Sequence, residues 1–394
     1  MKNGWQTKTL GEILEKTETV NPLQSPAAEF DYIDVSSISN RTFRIEETQR
    51  LKGKDAPSRA RRLVRTNDIL FATIRPTLQR IAIVPDELDR QVCSTGYFVL
   101  RPKRELDHRF IFYSLFTESF MGQMESLQKG ASYPAVSDGE VRSQPLAFPP
   151  LAEQQRIVGV LDEAFAGLAT AQANAEKNLQ NARALFESHL QSVLLSKQWK
   201  WKTLGELCDD VEYGSSAKSK KEGKIPVLRM GNIQDGKLDW ENLAYSDDKA
   251  EIKKYLLKHN DVLFNRTNSP ELVGKTAIYK SEMPAIFAGY LIRIHRKEDL
   301  LDADYLNYFL NSQIALDYGK TVVISSVNQA NINGTKLKEY PIPAPSLSEQ
   351  RIIVKKLNAL STETERLESL YEQKLAALAA LKKSLLHQAF SGQL

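Results

Sequence analysis

The sequence predicts an α+β protein: two pseudo-repeated globular domains separated by two long helices that form an antiparallel coiled coil. Three observations carry that reading. The 394-residue chain closes on a long helix with a heptad stripe, a second such helix lies mid-chain in the same register, and short matched segments recur in order before each. Two copies of one unit, each a globular domain followed by a long helix, account for all three.

Residues 1–147 form the first domain and open on Trp5-Gln-Thr-Lys-Thr-Leu-Gly-Glu. Residues 199–343 form the second, opening 194 residues later on Trp199-Lys-Trp-Lys-Thr-Leu-Gly-Glu. Ile33-Asp-Val-Ser-Ser-Ile reads as a strand-like run and corresponds to Leu228-Arg-Met-Gly-Asn-Ile. Asn67-Asp-Ile-Leu-Phe corresponds to Asn260-Asp-Val-Leu-Phe. Leu106-Asp107 leads into an aromatic helix from Phe110 to Phe120, matched by Leu301-Asp302 and a helix from Tyr305 to Ile314. Val141 and Leu146 match Leu337 and Ile342. Short β-branched runs mixed with one amphipathic helix give each domain its α+β class. At helical spacing the aromatics are core rather than base-stacking platforms. The copies differ most in 41–66 against 236–259, 72–80 against 265–275, and 129–139 against 325–335. Loops on a rigid scaffold are where binding residues sit.

The helices occupy 148–198 and 344–394. Pro341, Pro343 and Pro345 hold an extended approach, because proline cannot enter a helix interior. Ser346 with Glu349 reads as a capping box. Leu357, Leu360, Leu367, Tyr371, Leu378, Leu381 and Leu385 then recur at a/d spacing, with Thr364 and Lys374 at the two positions that break the stripe. Gly392 stands where a helix stop is expected. In the first helix, Leu151, Glu153, Gln154, Ile157, Val158 and Leu161 match Leu347, Glu349, Gln350, Ile353, Val354 and Leu357 at a constant spacing of 196, a whole number of heptads. The same register carries Leu161, Ala164, Leu168, Ala171, Ala175, Asn178, Ala182 and Leu185. Small alanines facing leucine and tyrosine let two such helices approach closely. Pro150 replaces the Ser346 cap in the first helix, and Gly159 and Gly167 each weaken it by about 1 kcal/mol.

A length of 394 residues allows two or three domains, each with its own core. A formal net charge of +4 is too small to identify a nucleic-acid partner, but the charge is unevenly placed. Lys52, Lys54, Arg59, Arg61, Arg62 and Arg65 cluster in one run, and Lys218, Lys220, Lys221 and Lys224 in another. Each run is equally compatible with a solvated loop. Cys93 and Cys208 are the only cysteines, which excludes a disulfide framework and a cysteine-rich zinc site. The N-terminus lacks a signal-peptide core and no apolar run approaches membrane length, so the expected setting is the cytoplasm.

No enzyme motif emerges. Gly274-Lys275-Thr276 resembles the end of a phosphate-binding loop, but Ser269 stands where the pattern needs glycine and Pro270 stiffens the cradle. Phe148-Pro149-Pro150 lacks the polar residue with which amino-methyltransferases hold their target amine. Asp209-Asp210 and Asp247-Asp248 have no positioned lysine, and no serine or cysteine sits in a nucleophile motif.

A proline-rich lead into Leu-x-Glu-Gln and a long helix, present twice and alternating with two variable domains, resembles the specificity (S) subunit of type I restriction–modification enzymes. Pro149-Pro150-Leu151-Ala152-Glu153-Gln154 and Pro343-Ala344-Pro345-Ser346-Leu347-Ser348-Glu349-Gln350 carry most of the likeness, which spans the whole chain. The resemblance implies two target recognition domains, each reading one half of a split sequence in double-stranded DNA, and two spacer helices that hold them apart and dock the partners. Those partners would be two modification (methyltransferase) subunits and two restriction (translocase/nuclease) subunits. S-adenosylmethionine, ATP and Mg would belong to them, and this chain would be a non-catalytic subunit with no cofactor of its own. A helix of about 40 residues is roughly 60 Å long. That length bounds the half-sites to a reach of at most about 18 base pairs.

Candidate DNA-binding residues follow from the variable loops, with phosphate contacts from basic loops and base contacts from polar tips. In the first domain they are Arg59, Arg61, Arg62, Arg75, Arg80, Ser132 and Tyr133. In the second they are Lys218, Lys220, Arg266, Asn268, Lys275, Ser325, Ser326 and Asn328. Arginine and asparagine can bond bidentately to guanine and adenine. Two other readings share these features: a DNA reader serving a type IIB-like system, and a coiled-coil scaffold whose ends bind proteins. Steep salt dependence separates DNA binding from the second.

Overall fold

The computed structural model describes residues 4–196, 199–270, 272–326 and 329–394. The chain divides into two compact units, Met1–Ala175 with Gln373–Leu394, and Glu176–Glu372.

In the first unit, strand Gln6–Thr9 pairs antiparallel with Pro145–Phe148, so the proline-rich lead is extended. The Thr-Leu-Gly-Glu motif closes that strand with a capping box, in which Thr9 N–H and hydroxyl both donate to Glu12 at 2.7 Å. It opens the short helix Leu10–Ile13. A Cβ on Gly11 would stand 3.3 Å from the Arg142 carbonyl oxygen, tighter than ordinary contact. A four-stranded sheet runs Gln49–Lys52, Glu29–Ile33, Val92–Ser94, Ala60–Leu63, and a three-stranded sheet runs Ile81–Ile83, Ile69–Ala72, Tyr97–Leu100. The stretch 41–66, expected as a variable loop, therefore contains two of these strands. The run beginning at Ile33 is the end of a strand followed by a 3₁₀ turn, Val35–Ser37, and Leu228 likewise precedes the 3₁₀ turn Met230–Asn232.

The aromatic helix expected from Phe110 to Phe120 is two helices, His108–Ser114 and Glu118–Leu127. Thr117 breaks it by accepting Phe120 N–H at 3.3 Å as an N-cap. The helix expected from Tyr305 to Ile314 is likewise split into Ala303–Leu310 and Gln313–Val322, with Ser312 as the cap. Side-chain capping competes with helix continuation, and apolar periodicity alone misses it. The core assignment of the aromatics is correct: Phe110 and Tyr305 are fully buried. Such side chains contribute about 1.5–3 kcal/mol each through burial.

The second unit repeats the plan. Trp201–Thr203 pairs with Pro341–Pro343, and Thr203 with Glu206 forms the matching box. Its main sheet runs Cys208–Tyr213, Leu291–Arg296, Asp261–Asn265, Thr276–Tyr279. In both units the Asn-Asp-x-Leu-Phe motif has one physical reading. Asn67 and Asn260 take left-handed φ of 68° and 70°, which asparagine tolerates. Asp68 then accepts Arg65 N–H at 2.8 Å and pairs with the buried Arg101 at 2.7 Å. Asp261 accepts Lys258 N–H at 2.8 Å and pairs with the buried Arg293 at 3.0 Å.

The first long helix runs Leu151–Leu194 and the second Leu347–Ser391, each unbroken; the first continues through Gly159 and Gly167. Ser346 and Glu349 form the expected box at 2.6 and 2.9 Å. Gly392 ends the second helix at φ 68°, with Gln393 N–H returning to the Gln388 carbonyl. In the first unit the start of one helix and the end of the other enter one core: Ile157, Val158 and Leu161 with Leu386 and Ala389. In the second unit, Leu190 and Leu194 share a core with Leu357. Both describe an antiparallel pair. Arg183 adds ion pairs at 3.0 Å to Glu368 and Glu372.

Among the expected interface positions, Leu161, Ala175, Ala182 and Leu357 are buried. Leu168, Ala171, Leu360, Leu367, Tyr371, Leu378 and Leu385 are half-buried. Leu185 and Leu381 are corrections, being 50% and 48% exposed. The next residue takes the inward place in each helix. Phe186 packs on the second core and against the Tyr308 ring, and Lys382 lies over Phe43 and Phe165. An α-helix drifts about 20° per heptad from a strict 3.5-residue repeat, so three to four heptads move the inward face by most of one residue.

Candidate nucleic-acid interface

Each unit presents an arginine at the end of its Asn-Asp-x-Leu-Phe strand. In the first unit, Ile69–Ala72 leads into a turn in which Arg75 and Gln79 have φ of 51° and 54°. Left-handed backbone is uncommon for such residues and is held in place only by surrounding structure. Here Arg75 N–H donates to the Pro134 carbonyl at 2.7 Å, and Val136 N–H to Thr73 at 3.0 Å. These bonds bring 129–139 alongside 72–80. Arg75 Nη2 donates to the Ser132 carbonyl at 3.2 Å, and its guanidinium lies 5.2 Å from the Tyr133 ring centroid. Tyr133 is 72% exposed. Arg75, Ser132 and Tyr133 thus converge from two segments about sixty residues apart, as loop-borne binding residues do.

The other arginines of this unit are divided. Arg59 is exposed and the Arg61 side chain donates to the adjacent Ala60 carbonyl at 2.9 Å. Arg62 is largely covered and paired with Asp138 at 2.9 Å, while Arg80 donates to the Val35 carbonyl at 2.8 Å. Both therefore make contacts within their own domain.

In the second unit, Asp261–Asn265 leads to Arg266 and the strand Thr267–Asn268. That strand pairs with Gln329–Asn331, which pairs with Ile324–Ser326. Asn331 Nδ2 donates to Thr267 Oγ1 at 2.8 Å. Ser325 and Ser326 therefore belong to the sheet that carries Asn268; Asn328 lies outside the described residues. Asn268 Oδ1 accepts Ser269 N–H at 2.9 Å, which fixes the side chain locally. Arg266 Nη1 donates to the Gly289 carbonyl at 3.3 Å, and its guanidinium lies 4.9 Å from the Tyr213 ring centroid.

Lys275 is not part of this group. Its ammonium donates to Gln234 at 3.2 Å, and it lines a cavity of about 910 Å³ with Phe186, Trp240 and Asn311, which neither Arg266 nor Asn268 lines. Lys220 pairs with Asp247 at 3.0 Å, and Lys218 is exposed. Tyr213 and Tyr290, 41% and 52% exposed, are additions that sequence reasoning missed. The available signal was the adjoining glycine of each, since a Cβ on Gly214 would stand 2.4 Å from the Phe287 and Ala288 carbonyls. Two segments that cross so closely fix both tyrosines beside Arg266, whose N–H donates to the Tyr290 carbonyl at 3.0 Å.

Each unit therefore sets a planar guanidinium against a tyrosine ring, with Arg75 exposed and Arg266 half-buried. Such a group can bond bidentately to a phosphate or a guanine edge. No helix among the described residues is long and apolar enough to cross a membrane.

Comparisons with known proteins agree with this duplicated plan. The sequence profile of the type I restriction modification DNA specificity domain matches residues 2–179 and again 196–376. The specificity subunit of the type I restriction enzyme EcoKI from Escherichia coli K12 is 26% identical over 77% of this chain and 69% of its own length. The putative MjaX specificity subunit of Methanocaldococcus jannaschii is 32% identical over 48% of this chain and 46% of its own. A solved chain from work on complex assembly and conformational transition of the type I R-M system superposes with a TM-score of 0.86 at 27% identity, covering 100% of this chain and 99% of that one. The HsdS subunit of Thermoanaerobacter tengcongensis superposes at 0.68 with 28% identity, covering 100% and 98%. With the profile matched once by each copy and the fold shared end to end, the chain belongs to the family of type I restriction–modification specificity subunits.

Proposed function

We propose that this chain is the non-catalytic address of a type I restriction–modification complex. It reads a bipartite DNA target, one half-site per globular domain, within the bounds 1–147 and 199–343. The spacer helices, 148–198 and 344–394, set the untouched gap and dock two modification and two restriction subunits. S-adenosylmethionine, ATP and Mg belong to those partners, and the assembly works in the cytoplasm with its DNA. The observation that carries this reading is an arginine set against a tyrosine ring in each unit, Arg75 with Tyr133 and Arg266 with Tyr213, with each arginine following the same strand of its own unit. Two similar but unequal readers on one chain fit a target of two unequal halves. Arg75, Ser132, Tyr133, Arg266, Asn268, Ser325 and Ser326 are the favoured contact residues. Arg59, Arg61, Lys218 and Lys220 are the phosphate-contacting set.

The deciding experiment maps methylated adenines in a genome carrying this chain with its modification subunit. The expected result is a split motif with one modified adenine per strand. A contiguous motif, or methylation independent of this chain, overturns the proposal.

A further inference from the structure

We infer that Tyr213 is a positioning residue for recognition of the second half-site: its ring, pinned at the hydroxyl by Gly334, aims the Arg266 guanidinium outward. The inference rests on the proposed reading of DNA by this chain and names how one of its contacts is set.

Gly334 is the first residue of helix Gly334–Lys338. Its N–H donates to the Tyr213 hydroxyl at 2.7 Å. A Cβ at this glycine would stand 2.9 Å from Val211 Cγ2 and 3.1 Å from the Tyr213 hydroxyl oxygen, so this close approach favours a residue without a side chain. The other end of Tyr213 is fixed by the sheet, where it is paired with Ile292. A tyrosine held at its backbone and at its hydroxyl has little freedom left in its ring.

Arg266 lies against that ring with its guanidinium carbon 4.9 Å from the centroid. Its hydrogen bonds are few. Nη1 reaches the Gly289 carbonyl at a long 3.3 Å, and Nε is buried with no acceptor among the described residues. An arginine fixed by carboxylates spends its donors on them, as Arg101 does on Asp68 and Glu18. Arg266 is held instead mainly by the face of an aromatic ring, an attraction that consumes no N–H. Its Nη2 has no acceptor among the described residues and is therefore left for a ligand. Burial of Nε removes the freedom to swing away, and the backbone is clamped on both sides by Tyr290 and Ile332. A rigid, donor-rich plane is what bidentate reading of a guanine edge requires.

The test uses the full chain with its co-purifying subunits, selected against a randomised duplex DNA library, and compares Tyr213→Leu, Tyr213→Phe, Arg266→Lys and the double variant Tyr213→Leu/Arg266→Lys. Tyr213→Leu should lower discrimination at one base pair of the second half-site by about ten- to a hundred-fold, the range one bidentate contact supplies. The slope of affinity against salt and the first half-site should stay unchanged. Tyr213→Phe keeps the ring but loses the Gly334 bond, and its discrimination should fall between those of the parent and Tyr213→Leu. Arg266→Lys should match Tyr213→Leu, and the double variant should lose no more than either, because both changes remove one contact. Additive losses overturn the inference, and so does Tyr213→Leu behaving as the parent while Arg266→Lys relaxes the site. Equal loss at both half-sites with unchanged unfolding temperature overturns the modular reading itself. If Tyr213→Leu lowers the unfolding temperature, Tyr213→Phe decides: discrimination no better than that of Tyr213→Leu overturns the inference.

Discussion

Asp302 N–H donates to Gln350 Oε1 at 2.8 Å, and Gln350 Nε2 donates to the Leu300 and Pro345 carbonyls at 2.8 and 2.9 Å. Gln154 repeats every bond, to Asp107, Glu105 and Pro149. Both glutamines are fully buried. The glutamine of Leu-x-Glu-Gln is thus a staple that ties the first turn of a long helix to the loop entering the aromatic helix of its own unit. Removing it leaves buried backbone groups without partners, each costing about 1–3 kcal/mol. Gln154→Ala and Gln350→Ala are each expected to destabilise their own unit by about 3 kcal/mol. Denaturant unfolding of the two single variants and the double variant measures this, with the two losses adding because the sites are independent.

The drift of the helix register makes a sharp contrast in cost. Leu161→Ala and Leu357→Ala, at buried positions, should each cost about 2–5 kcal/mol. Leu185→Ala and Leu381→Ala, at exposed ones, should fall within about 0.5 kcal/mol of the parent. Thermal unfolding of the four variants checks the inward face. A large loss at Leu185 or Leu381 would restore the strict heptad register.

Acid should loosen the capping boxes. The backbone N–H of Ser137, then Lys129, hold the Glu140 carboxyl down to about 2. The backbone N–H of Thr9 and of Thr203 lower Glu12 and Glu206 in the same way. A carboxylate depressed in the folded state stabilises above its unfolded value, near 4.5, and loses that contribution as pH falls through the folded value. The window for Glu140 is therefore pH 4.5 down to about 2. Glu140→Gln keeps an acceptor but cannot titrate, so its unfolding temperature should fall less steeply with acid than the parent's across that window.

Arg75→Ala should weaken binding and relax the first half-site while leaving the second unchanged, and Arg266→Ala should do the reverse. Competition binding with half-site variants measures both. Where either arginine contacts phosphate instead, the salt slope drops by about one with no change in preference.

Deleting one heptad from both long helices removes about 10 Å of rise from each. The untouched gap in the target should shorten by about three base pairs, read by methylation mapping. An unchanged gap would mean that the helices do not measure it.

Much of this protein was legible because its decisive patterns are local. Thr9 with Glu12, Ser346 with Glu349, Gly392 at a helix end, and the paired runs 151–161 and 347–357 are fixed by residues a few positions apart. The split of the aromatic helices at Thr117 and Ser312 was equally local but lay hidden under the apolar pattern. Among basic residues, sequence could not separate Arg62, which pairs with Asp138, from Arg59, which stays in water. The two lie three residues apart in one basic run.

By itself the sequence determined the duplication, the extended leads, the helix caps and the antiparallel rods, since hydrogen-bond geometry and apolar spacing act within one or two turns of chain. Only tertiary structure decided that Phe186 and Lys382 turn inward in place of Leu185 and Leu381, that Lys275 leaves the Arg266 group, and that Tyr213 meets Arg266. Those outcomes depend on the accumulated twist of a long helix and on which distant strands cross, and neither quantity is carried by any short stretch of residues.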